Sequence, residues 1–93
     1  MPDYVLPSIG LFAAGLTSLA YIPQLYKAWP RGATGDLSLN MLIVLWLGLL
    51  LWIVYGLLKP DWVVVVANTI ALALVGAVLV CKIRDLRAAE GAA

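Results

Sequence analysis

The sequence predicts an all-α membrane protein, a bundle of three transmembrane helices, and three observations carry that prediction. Of its 93 residues, 65% are hydrophobic and only 12% charged, and the mean hydropathy of +1.03 lies far above that of soluble domains. The apolar residues gather in three runs, each near the ~20 residues that cross a ~30 Å hydrocarbon core. All five carboxylates, Asp3, Asp36, Asp61, Asp85 and Glu90, stand at the ends of those runs or in the turns between them.

Helices are expected over 7–28, 39–58 and 61–83, making one domain across 1–93. The first reads as a membrane span rather than a cleaved leader. The preceding "MPDY" has no basic stretch, and the apolar run outlasts the usual signal core. It ends at "WPRGATGD", where Pro30, Gly32 and Gly35 break the helix and Asp36 or Ser38 can cap the next one. The second ends at "LLKPDW", where Pro60 suits the first turn of the third helix and Asp61 favours its positive N-terminal end. So tight a turn makes the second and third helices antiparallel neighbours. Lys27, Arg31, Lys82, Arg84 and Arg87 fall on one side of this topology and Lys59 alone on the other. The positive-inside rule then puts the N-terminus outside and the C-terminal tail in the cytoplasm, as for a multi-pass protein of a plasma membrane.

Several chemistries are disfavoured. Cys81 is the single cysteine and there is no histidine, so neither an intrachain disulfide nor a His/Cys metal site can form. Cys81 reads as a small buried hydrophobe. A net charge of +1 gives no footing for a nucleic acid. The basic tail reads instead as topology signals and contacts with lipid headgroups. No base, nucleophile pair or metal set converges, so the chain is read as neither an enzyme nor a cofactor carrier. With no acidic residue or histidine at membrane depth, no proton relay is evident, and downhill, uncoupled transport is the simpler expectation.

The polar residues inside the spans are few, and each is a functional candidate. Gly48, Trp52, Tyr55 and Lys59 share one face of the second helix, with Gly56 a turn beyond Trp52, leaving room for a ring against the indole. Trp46 points elsewhere, to lipid or to a neighbouring helix. On the third helix Asp61, Asn68 and then Leu72 or Val75 form a comparable stripe. Trp52 precedes Lys59, and Asn68 follows Asp61, by the same number of residues, so both lie roughly 10 Å below the outer turn. An aromatic plate and a carboxamide at one level suit a sugar, whose C–H faces stack and whose hydroxyls bond an amide. The alternative is that Trp52 is packing and Asn68 joins helices. Tyr55, Lys59 and Asp61 crowd the outer turn, either as a gate or as interfacial anchors; Tyr4, Trp62, Tyr26 and Trp29 belong to the aromatic belts. Pro23 and Gln24 stand side by side inside the first helix. They form either a static kink or a hinge, with Thr17, Ser18 or Gln24 satisfying the freed backbone. Three helices leave no lumen for a solute, whereas a second copy would give six and a pore between protomers.

These residues resemble a known family, the bacterial SemiSWEET sugar transporters, half-size relatives of the SWEET and PQ-loop proteins. The resemblance rests on "PQ" at Pro23 and Gln24, "D-x-S-x-N-M" from Asp36 to Met41, "W-x-x-Y-G" from Trp52 to Gly56, and "A-N" at Ala67 and Asn68. It implies a parallel homodimer that moves mono- or disaccharides by alternating access, and SWEET proteins are themselves an example of parallel-repeat architecture. Carried over, Trp52 and Asn68 hold the sugar, Pro23 and Gln24 form the hinge, Tyr55, Lys59 and Asp61 make the outer gate, and Met41 sits at the inner gate. Lys59 lacks the planar fork of arginine, so the outer latch is expected to be loose. Two competing readings remain: a small multidrug-type exporter, which would need an intramembrane carboxylate, and a non-transporting subunit or holin.

Overall fold

The computed structural model describes residues 2–92. It contains three helices, α1 (Val5–Ala28), α2 (Leu39–Leu58) and α3 (Trp62–Ala92), and no strand among the described residues. All three are long and apolar enough to cross a membrane.

The helix ends follow from local chemistry. Ser38 is the N-cap of α2: its backbone is extended and its Oγ accepts a hydrogen bond from the Met41 amide at 3.2 Å. That bond satisfies one of the donors a helix start leaves without a partner. Between α2 and α3 the Lys59 amide donates to the Tyr55 carbonyl at 2.9 Å and the Asp61 amide to the Gly56 carbonyl at 2.8 Å. The Asp61 carboxylate then accepts from the Val64 amide at 3.3 Å. Asp61 therefore takes the capping position, and Pro60 lies in the turn before it rather than in the first turn of α3.

α3 continues to Ala92, well past the end expected at 83. Hydropathy falls after Cys81, but "KIRDLRAAE" consists almost wholly of good helix formers with no proline or glycine until Gly91. Helix propensity does not stop at the membrane surface. At 1.5 Å per residue α3 is roughly 46 Å long, so its last turns project beyond a ~30 Å core.

In space the order is α1–α3–α2. α3 packs against both other helices, which do not pack against each other among the described residues. The body measures 60 × 25 × 14 Å, about one helix thick in its shortest direction. Glycines set the close approaches. A Cβ at Gly10 would meet Val63 Cγ1 at 2.6 Å, one at Gly56 would meet Val65 Cγ2 at 2.9 Å, and one at Gly76 would meet the Trp46 indole nitrogen at 3.0 Å. The buried core of Ala28, Leu42, Leu49, Ala71, Val75, Val78 and Cys81 runs from mid-depth to the end that holds the α1–α2 loop. Val75 therefore belongs to this core and not to a solute-facing stripe.

Candidate functional site

The flat layer leaves two hollows at the level of Trp52 and Asn68. One, of about 330 Å³, lies mainly between α1 and α3 and is lined by Gly10, Ala13, Ala14, Thr17, Ser18, Tyr21, Leu49, Ala67, Asn68 and Ala71. The other, of about 470 Å³, lies on α2 and is lined by Gly48, Leu51, Trp52 and Tyr55. A single chain thus puts Trp52 and Asn68 in separate hollows.

Asn68 is half-buried, and its Nδ2 donates to the Val64 carbonyl one turn back at 2.8 Å. This bond uses one of the amide's two hydrogens and leaves Oδ1 and the second hydrogen available. Trp52 is 53% exposed, so it is not a packing residue within the chain. The ring of Tyr55, three residues on, meets it edge-on, with centroids 5.4 Å apart and planes at 86°. That geometry braces the indole while leaving a face open. Gly48 has open space where a Cβ would stand, but Gly56 does not: α3 closes on it. Room beside the indole therefore comes from Gly48 alone, and Gly56 serves the α2–α3 contact.

Sequence reading overlooked the α1 side of the first hollow. Gly10, Ala14, Thr17, Ser18 and Tyr21 recur at helical spacing and form a stripe of small and hydroxyl-bearing residues facing Asn68. Thr17 Oγ1 donates to the Ala13 carbonyl at 3.0 Å, so it does not serve the carbonyl of Leu19 that Pro23 leaves without a donor. α1 runs through Pro23 as one helix. Gln24 is half-buried and makes no side-chain hydrogen bond among the described residues.

At the α2–α3 turn Asp61 caps α3 and Lys59 ends α2. Within the chain they form no ion pair: the one salt bridge among the described residues joins Arg84 and Asp85. Met41, on the first turn of α2, is 49% exposed. Tyr4, Trp62, Tyr26 and Trp29 are all exposed near the helix ends.

The densest polar cluster was not foreseen. It lies where the α1–α2 connection crosses the end of α3. The Arg84 guanidinium donates to the carbonyls of Trp29 at 2.7 Å, Pro30 at 3.0 Å and Ala28 at 3.3 Å, closing the C-terminal end of α1. The Asp85 carboxylate accepts from Thr34 Oγ1 at 2.6 Å, the Gly32 amide at 3.0 Å and the Thr34 amide at 3.2 Å. Gly32 takes a positive φ of 81° to present that amide. Lys82, only 8% exposed, donates to the Thr34 carbonyl at 2.8 Å, and Thr34 itself is fully buried. Lys82 and Arg84 thus bind this chain's own backbone, a role that a reading of them as topology charges and lipid contacts left out.

The PQ-loop repeat family matches residues 6–65. A protein named sugar transporter SemiSWEET from Bradyrhizobium diazoefficiens is 39% identical over 84 residues, covering 90% of this chain and 98% of that one. The chain belongs to the SemiSWEET branch of the PQ-loop family. A protein of the same name from Leptospira biflexa is 38% identical over 83% of this chain and 91% of its own length. In space the chain superposes on a crystal structure described as a bacterial homologue of SWEET transporters, with a TM-score of 0.80 and 36% identity over 87% of this chain and 98% of that one.

Proposed function

We propose that this protein carries mono- or disaccharides across a bacterial inner membrane by alternating access, as a parallel homodimer and without a coupled ion. The observation that carries the reading is the pair of hollows on one flat layer, one holding an exposed, braced indole and the other a carboxamide among hydroxyls. A layer about one helix thick encloses nothing. A second copy related by a twofold axis along the membrane normal would close the layer into a six-helix ring, with two indoles and two carboxamides around one cavity. The names of its relatives, which are sugar transporters, supply the solute class.

In this reading Trp52 stacks on the sugar, Asn68 bonds its hydroxyls, and Tyr55, Lys59 and Asp61 meet their symmetry mates to close the outer mouth. Met41 lines the inner mouth, and α1 bends at Pro23 and Gln24. The N-terminus lies outside and the tail in the cytoplasm, following the basic residues. A cation-coupled exporter is disfavoured because the described carboxylates lie at helix ends, in loops, or, for Asp85, beyond the apolar part of α3.

The test is uptake of radiolabelled glucose and sucrose into proteoliposomes. Saturable uptake of one of them, abolished in Trp52→Ala while the variant remains dimeric, is the expected result. Absence of saturable uptake for both, or full uptake by the variant, overturns the reading.

A further inference from the structure

α1 is held against α3 at both of its ends. Near the outer end Gly10 lets the backbone close on Val63. At the inner end Arg84 holds the carbonyls of residues 28–30, and Asp85 and Lys82 hold the loop through Gly32 and Thr34. Between these points lies the hollow with Asn68, and Pro23 sits between the hollow and the inner clamp.

A hinge at Pro23 that swings the last turn of α1 away from α3 would have to break every one of these bonds together. It would also expose a fully buried Thr34 and a buried Lys82 ammonium, and would strip the end of α1 of its cap. Bending of α1 above an intact foot breaks none of them.

We propose that Lys82, Arg84 and Asp85 are positioning residues that bind the cytoplasmic end of α1, the connecting loop and the end of α3 into one body that stays intact through the transport cycle. The inner mouth then opens by movement of this whole foot against α2 and the partner protomer, with Pro23 supplying flexure above it. The inference rests on the alternating-access reading. It adds that the moving part is a two-helix foot rather than a free helix end.

The amides of Gly32 and Thr34 report on the clamp directly, because both donate to Asp85. Hydrogen exchange at these amides is measured on the full-length protein in liposomes, without sugar and during turnover at saturating sugar. Expected is exchange unchanged to within about twofold on turnover, against at least about tenfold faster exchange in Asp85→Asn. Arg84→Ala should lower the maximal uptake rate about tenfold while the sugar concentration for half-maximal uptake stays within about twofold, with partial recovery in Arg84→Lys. A tenfold rise in wild-type exchange during turnover overturns the proposal, as does unchanged exchange in Asp85→Asn. Loss of half-saturation and rate together in Arg84→Ala would also overturn it. Failure of the wild type to take up sugar at all is a different outcome and sinks the transport reading instead.

Discussion

Asn68 donates one amide hydrogen to Val64 and keeps its oxygen and second hydrogen, while Trp52 shows half of its surface. On the proposed reading each contributes to sugar binding by a different force, and removing either costs on the order of 1–3 kcal/mol. Trp52→Ala and Asn68→Ala should therefore remain dimeric and lose uptake, with effects that are coupled in the double variant because one solute touches both. Isothermal titration or uptake competition on the two single variants and the double decides this. Trp46 provides the contrast. Its indole lies 3.0 Å from where a Gly76 Cβ would stand, so it packs on α3. Trp46→Ala should lower the unfolding temperature by several degrees while the folded fraction transports normally, which a thermal melt alongside uptake would show. At this scale the residue types were legible and the partners were not. A tryptophan and an asparagine at membrane depth announce themselves in a sequence, but whether that tryptophan packs or stands exposed does not. That Gly56 faces α3, or that Arg84 reaches the carbonyl of Trp29, depends on which helices are neighbours.

Helix existence was legible for the same reason that it is in any membrane chain: in lipid the backbone must satisfy itself, so a long apolar run is a helix. Helix order in space was not. A tight turn fixes α2 beside α3, but nothing in the hydropathy says that α3 lies between α1 and α2. That order forces the α1–α2 connection across the end of α3, where the extra turns beyond Cys81 meet it. Pro23 is the element-scale test. Alanine there restores the amide donor that Leu19's carbonyl lacks and removes the ring that opposes a straight helix. Pro23→Ala should raise the melting temperature of the dimer and reduce maximal uptake severalfold with sugar affinity retained, because the flexure and not the hollow has been changed. Equal uptake by variant and wild type would make the proline a static kink.

For the whole molecule the placement of charge sets the energetics. The described acidic residues lie before α1, in the two connections, in the clamp and along the tail, and the two hollows are lined by no charged side chain, their polar groups being hydroxyls, a carboxamide and an indole. A solute passing that level meets no carboxylate, ammonium or guanidinium among the lining residues. Transport should then equilibrate sugar and do no more. One proton moved per sugar would let a gradient of one pH unit support about tenfold accumulation, since each unit is worth about 1.4 kcal/mol. Proteoliposomes loaded at one pH and diluted into another should instead reach equal sugar inside and out, with the initial rate changed by less than about twofold. The same vesicles with sugar on both sides should exchange label at least as fast as they fill, because a carrier that returns loaded needs no empty reorientation. Accumulation above the outside concentration under an imposed pH gradient would mean that a titratable group, in the clamp or at the α2–α3 turn, is drawn into the cycle, and would end the uncoupled reading.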